Sequence, residues 1–242
     1  MALSSNSAPR LFVTADLPGP VSFSPGQVNY LRNVLRLSPG AAVTLFNGRD
    51  GEWAASITAL SKKAGAALPQ KAVRAQTPAP TLTLAFAPLK QARLDYMVEK
   101  AAEMGAGHLA PVLTQHGQVR RLNLERLTAN MVEACEQCGI LTVPTIAAPV
   151  PLAHVIAGTP AESLVIADEV LSNRRGDALD ALRDATPPLT LLIGPEGGFS
   201  EAERNLFAPL ARRVSLGPRV LRADTAAVAL MALAECAHPS VA

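Results

Sequence analysis

The chain has 242 residues, 49% hydrophobic and 17% charged, which supplies a buried core and leaves too little charge for a disordered chain. One large domain or two modest ones are allowed at this length, and a large multidomain assembly is excluded. The apolar part of the longest uncharged stretch, Ile140 to Ala161, is broken by Pro144, Pro149, Pro151 and Pro160, so no membrane span is expected. The first nine residues lack the basic region and apolar core of a secretory signal, and a cytoplasmic protein is expected. Three cysteines cannot all pair, and reduced thiols are expected.

Net charge is +2, unevenly distributed. Up to residue 75 there are eight basic residues against three acidic ones, a charge of +5, and the remainder carries −3. The proline-rich junction Ala75-Gln-Thr-Pro-Ala-Pro80 reads as a linker, which predicts a small domain over 1–75 and a larger one over 81–242. A compact basic module suits a phosphate-backbone partner; a solvated basic surface explains the same charge.

In the small module Arg10 to Ala15, Ala42 to Asn47 and Trp53 to Leu60 read as strands with turn signals at Asn47-Gly48 and Asp50-Gly51, which suggests a small barrel. Between the first two, Ser24-Pro25 starts a helix with Val28, Leu31, Val34 and Leu35 on one face. Arg32 and Arg36 then fall four apart on another face, a pair that could grip phosphates. Beyond the linker the pattern becomes strand, helix, strand, helix. Thr81 to Phe86 is followed by a helix over 93–104 ended by Gly105, then by a strand over 108–113. Asn123 caps a helix that Gly139 stops. Strands follow over 163–167, 189–193 and 213–216, with helices near 177–184, over 200–210 and from about Thr225 to Cys236. Continuous apolar strands alternating with helices predict a parallel α/β sheet covered on both faces.

Two loops carry the chemistry. Leu192-Ile-Gly-Pro-Glu-Gly-Gly-Phe-Ser200 joins a buried strand to a helix with a Ser200/Glu203 capping box, and its glycines let a backbone approach a ligand closely. It is neither a P-loop nor a dinucleotide turn. A tight strand-to-helix turn is the plainer reading. Leu216-Gly-Pro-Arg-Val-Leu-Arg-Ala-Asp-Thr-Ala226 repeats the logic and places Arg219 and Arg222 beside a helix start at Asp224 or Thr225. Arg222 could stabilise developing negative charge or pair with Asp224 on the surface. Cys135-Glu-Gln-Cys138 has redox spacing but lies at the end of a helix, where a thiolate gains nothing, and the four histidines lack metal spacing. No metal is expected.

These two loops, in this order and spacing, resemble the paired signature of the ribosomal RNA small subunit methyltransferase E family of the SPOUT class. Tyr30-Leu-Arg-Asn-Val-Leu-Arg36, Leu45-Phe-Asn-Gly48, Lys90 with Leu94-Asp95, Glu99-Lys-Ala-Ala-Glu-Met-Gly105, Glu136-Gln137 with Gly139, and Val143-Pro144 extend the resemblance over most of the chain. The sequence departs from the family pattern at Cys138, Ile140 and Gln115-His116-Gly117. The resemblance implies a PUA-like N-terminal β-barrel that binds RNA and a C-terminal SPOUT-type parallel sheet with a deep trefoil knot. It also implies a homodimer that methylates N3 of one decoding-centre uridine in 16S rRNA of the small ribosomal subunit. S-adenosylmethionine would be held by Ile193, Gly194, Gly198, Leu216, Gly217, Leu221 and Arg222. Arg222 and Glu196 are the catalytic candidates, the first for charge on uracil and the second as proton acceptor. Arg10, Arg32, Arg36 and Lys90 are the expected RNA contacts. Methylation of another nucleoside or of a ribose 2′-oxygen, and a non-catalytic RNA-binding role, are the competing readings.

Overall fold

A computed structural model of the chain describes residues 8–172 and 177–239. The first seven residues, on which part of the secretory-signal reading rests, lie outside this range. The chain forms two compact units, one from the residues up to Pro78 with Cys135–Val143, the other from Ala79–Ala134 and the chain from Pro144 onward.

The first unit is a five-stranded sheet around its own core. Its elements are β1 (Arg10–Phe12), β2 (Val21–Ser22), α1 (Pro25–Asn29), β3 (Ala42–Phe46), β4 (Glu52–Leu60) and β5 (Gly65–Arg74). The strand order is β1-β3-β4-β5-β2, with β1 parallel to β3 and the other pairs antiparallel. Alternation turns Leu11, Val43, Leu45, Ala55, Ile57 and Ala67 inward, where Val28 and Leu31 join them. Sequence patterning does not reveal β5, because Pro69 and a run of small residues interrupt it. Pro69 is tolerated beside a bulge: Ala55 faces Pro69 while Ala54 faces Lys71, so the ladder is broken where proline has no N–H to give.

Ser24 starts α1 with a complete capping box, its hydroxyl accepting from the Gln27 amide and the Gln27 side chain accepting from the Ser24 amide. The helix then widens into a π turn over Tyr30–Val34, with the Leu35 amide donating to the Tyr30 carbonyl. The wider turn rotates Val34 out of the predicted apolar stripe, while Leu35 stays half-buried against the core. Val34 is 62% exposed, a correction to the expected face. Arg36 ends the turn in the left-handed region at φ 55°.

The second unit is an α/β layer structure. In order it has β6 (Thr83–Phe86), α2 (Gln91–Glu103), β7 (His108–Leu113), α3 (Leu124–Cys138), β8 (Thr145–Ile146), β9 (Val150–Pro151), α4 (Leu152–Gly158), β10 (Leu164–Ala167), α5 (Ala178–Arg183), β11 (Thr190–Ile193), α6 (Glu201–Phe207), β12 (Arg212–Val214) and α7 (Ala223–Ala237). Its parallel sheet runs β12-β10-β11-β6-β7-β8, with β9 pairing β7. The central strands are buried on both sides: Leu84, Leu164, Val165, Ile166, Leu191 and Leu192 are fully enclosed. One face packs on α4 and α6 through Leu152, Ile156, Phe199 and Phe207. Helices α2, α5 and α7 pack together, with α7 against β11.

Helix boundaries follow local chemistry where a side chain supplies a cap. Asn123 accepts from the Arg126 amide at the start of α3, and Gly105 and Gly139 take φ 82° and 74° just past α2 and α3. Helix α7 starts earlier than expected: Arg222, extended at φ −67° and ψ 152°, is the N-cap, and neither Asp224 nor Thr225 caps the helix. Short β8, β9 and α4 are not evident in the sequence, because three prolines break its periodicity there.

Among the described residues no helix is long and apolar enough to cross a membrane.

Candidate active site

Strands β12, β10 and β11 are neighbours, and the loops leaving their carboxyl ends converge on one cleft of about 250 Å³. The loop after β11 contributes Gly194 to Glu196 and Gly198, and the segment after β12 contributes Leu216, Gly217 and Arg219 to Ala223. A third loop, after β10, contributes Asp168, Glu169 and Ser172, while Arg93 of α2 and Ala226 of α7 complete the lining. All seven residues expected at a cofactor lie here: Ile193, Gly194, Gly198, Leu216, Gly217, Leu221 and Arg222. Glu196 lines the same cleft. Sequence reasoning missed Arg93, Asp168 and Glu169. The end of the apolar run Leu-Val-Ile-Ala167 was a usable signal for the acidic pair; nothing local marks Arg93.

The glycine loop is shaped by its neighbours. Residues 195 to 198 form a turn in which the Gly198 amide donates to the Pro195 carbonyl at 2.9 Å. Gly198 has φ 69°, and a methyl group there would collide with the Glu169 carboxylate. Gly194 lies against the Phe199 ring, 2.8 Å from where its Cβ would be. Gly217 has φ 113° and open space around it. Gly198→Ala is therefore expected to lower stability by about 1–3 kcal/mol through strain and collision together. Gly217→Ala, with strain alone, should lose less. Denaturant unfolding of the two variants checks the order.

The charged groups of the cleft divide into paired and unpaired. Glu196 is ion-paired with Arg93, both side chains about one-third exposed. Asp168 is fully enclosed and receives Arg213 at 2.6 and 2.9 Å and Arg204 at 3.3 Å. Arg204 also binds Glu169, and Arg213 stacks 6.0 Å from the Phe207 ring centre. The acidic wall is thus neutralised from behind. Arg219 and Arg222 are exposed at the mouth, and among the described residues no ion pair holds either. The Asp224 carboxylate accepts from the Thr225 amide at 2.9 Å, so the surface pairing of Arg222 with Asp224 is not observed.

The other expected contacts are dispersed. Arg32 and Arg36 line a shallow hollow of the first unit with Asn33, Leu37, Ser38, Pro39 and Leu60. Lys90 is exposed at the N-cap of α2. Arg10 corrects the expectation of an RNA contact. Its guanidinium reaches Glu52 at 2.6 Å and the carbonyls of Cys135, Glu136 and Ile140 at 2.5, 3.0 and 3.2 Å, and its side chain is only 13% exposed. The sequence could not show this, because residues 125 or more positions away supply the carbonyl acceptors.

Burial pushes the Cys135 thiol up to about 12, against the opposing charge of Arg10, so this cysteine is a poor nucleophile at neutral pH. Cys138 is exposed. Among the described residues no group of three or more His, Cys, Asp or Glu is arranged to hold a metal ion.

The lining suits a ligand with a flat apolar part and a charged part. Ile193, Val214, Leu216, Leu221 and Ala226 form apolar walls, glycines expose main chain, and charged side chains sit at the rim. A sequence profile described as RNA methyltransferase domain matches residues 76–235, and one described as RNA methyltransferase PUA domain matches residues 23–67. A ribosomal RNA small subunit methyltransferase E of Rickettsia conorii is 32% identical over 207 residues, spanning 85% of this chain and 84% of its own. The crystal structure of a ribosomal RNA small subunit methyltransferase E from Neisseria gonorrhoeae bound to S-adenosyl methionine gives a TM-score of 0.82 at 26% identity, over 95% of this chain and 98% of that one. A methyltransferase from Legionella pneumophila in complex with SAM gives 0.82 at 28% identity, over 96% and 98%.

Proposed function

Because the chain belongs to the ribosomal RNA small subunit methyltransferase E family, we propose that it transfers a methyl group from S-adenosylmethionine to N3 of one decoding-centre uridine in 16S rRNA. The observation that carries the reading is the cleft at β12, β10 and β11, with apolar walls, bare glycine backbone and Arg222 exposed at its mouth. The PUA-type match lies within the basic first unit, in keeping with an RNA partner.

The residues fit S-adenosylmethionine. Backbone groups of Ile193, Gly194, Gly198, Leu216, Gly217 and Leu221 would hold its adenosyl part, for which Gly217, with open space where a side chain would stand, leaves room. When bound, it supplies an electrophilic methyl group on a sulfonium. The chain's part would be to hold the uracil so that N3, having passed its proton to Glu196 or to water, faces that methyl group. The protein's part is alignment and electrostatics. Arg222 stabilises the negative charge that uracil gains on losing its proton. Glu196 is the candidate proton acceptor, and its ion pair with Arg93, made through Oε1, also braces the glycine loop. The base must be unpaired or turned out of its stack to enter the cleft.

The reading includes a homodimer acting in the cytoplasm and a deep trefoil knot through the two loops. Leu206, Leu210 and Val220 leave apolar surface exposed on the second unit, 48%, 48% and 70% respectively, in keeping with a subunit contact. Sedimentation of the purified chain tests the dimer.

The deciding experiment is transfer of a labelled methyl group to small subunits that lack the modification, with identification of the nucleoside. N3-methyluridine at one decoding-centre position is the expected product. A labelled ribose or a different base would replace the proposed specificity, and cofactor binding without transfer to any RNA would replace the activity. Arg32 and Arg36 are proposed to contact phosphate. Changing both to glutamine should weaken RNA binding and lower the slope of log K against log salt by about 2, one for each phosphate left without its arginine.

A further inference from the structure

The segment after β7 touches the glycine loop in a way that neither the resemblance nor the cleft lining accounts for. His116 Nδ1 lies 3.2 Å from the Gly197 carbonyl oxygen and 3.0 Å from that of Gly198. Both partners are acceptors, so Nδ1 carries the hydrogen and shares it between them. Of residues 193 to 198, Gly197 alone is absent from the cleft lining; it backs onto the imidazole side, with its Cβ position 3.2 Å from His116 Cβ.

His116 is itself firmly placed. The neighbouring Gln115 amide donates to Glu203 Oε1 at 2.7 Å, and Glu203 Oε2 accepts from the Ser200 amide at 2.8 Å, so one buried carboxylate ties the β7 segment to the start of α6. The Gly117 amide donates to the Thr114 carbonyl at 3.2 Å, which curls the segment so that His116 faces the loop. Gly197 and Gly198 have the largest backbone freedom to lose, and an unfastened loop would have to be ordered when a ligand arrives. Fastening it beforehand makes binding tighter without any new ligand contact.

We propose that His116 is a positioning residue of the cofactor cleft: its Nδ1–H, shared by the Gly197 and Gly198 carbonyls, holds the Pro195–Gly198 turn in its ligand-ready shape. This rests on the proposed function only for the choice of ligand. Asparagine is the conservative variant, because its Nδ2 occupies the place of Nδ1 and donates in the same direction.

The full chain and its His116→Ala and His116→Asn variants would be compared in two ways. Titration calorimetry with S-adenosylhomocysteine should show binding weakened about tenfold in His116→Ala and restored to within about twofold in His116→Asn, the range expected for one shared hydrogen bond. Hydrogen exchange without ligand should show the amides of residues 194–199 exchanging faster in His116→Ala alone, with melting temperatures close to the parent. Unchanged affinity and exchange in His116→Ala would overturn the proposal, as would failure of His116→Asn to restore either while melting normally. If the parent chain binds no S-adenosylhomocysteine, the methyltransferase reading fails, and the ligand-free exchange comparison still decides the role of His116.

Discussion

Arg222→Ala is expected to lower methyl transfer about a hundred-fold to a thousand-fold, the usual cost of removing one group that stabilises charge in a transition state. Affinity for S-adenosylhomocysteine should stay within about threefold, because the proposed cofactor contacts of this stretch are backbone groups. The fold gives the variant room to behave cleanly. Arg222 serves α7 through its carbonyl, which accepts from the Ala226 amide at 2.8 Å, and its exposed side chain makes no ion pair among the described residues. Single-turnover rates separate the step from binding. A rate within about threefold of the parent would remove Arg222 from the chemistry and direct attention to Arg219 and Arg93, the other arginines of the lining.

Arg10→Ala should cost about 3–5 kcal/mol of stability, the range for breaking a buried ion pair from one side. Glu52, also nearly enclosed, would lose its bond at 2.6 Å and keep only the half-exposed Arg74 at 2.7 Å. The carbonyls of Cys135 and Glu136 near the end of α3, and that of Ile140 beyond it, would lose a cationic donor where a helix terminus favours one. The guanidinium also lies 4.4 Å from the centre of the Phe46 ring. Lysine cannot reproduce this fork of contacts, so Arg10→Lys should recover only part of the loss. Denaturant unfolding measures both; a loss below about 1 kcal/mol would mean that the network is dispensable.

The same cluster sets a pH response. Burial opposes ionisation of Glu52, but hydrogen bonds from Arg74 and Arg10, with their charges, outweigh it and hold the carboxyl below its ordinary 4.5. A group depressed on folding contributes stability that is complete above its unfolded value and disappears as pH falls through the folded one. Stability of the parent should therefore drop from about pH 5 downward more steeply than that of Glu52→Gln, in which this component is missing.

Several features were legible because their causes are local. Ser24 with Gln27 and Ser200 with Glu203 announce helix starts, Gly105 and Gly139 announce helix ends, and unbroken apolar runs such as Leu164 to Ala167 announce strands buried on both faces. The two glycine-containing loops stood out in the same way, since backbone freedom and a following helix are written in a few consecutive residues. Other features needed the whole chain. The place of β10 between β12 and β11 is what adds Asp168 and Glu169 to the cleft, and the packing of α2 is what adds Arg93, about 100 positions from Glu196. Arg10 reads as a surface cation until Glu52 and three distant carbonyls surround it, and Val34 reads as core until a π turn rotates it outward. Caps, turns and periodicity act within a few residues and so can be read in the order of the chain. Whether a charge is neutralised, and which loops share a cleft, depends on partners whose distance in space bears no relation to their distance in sequence.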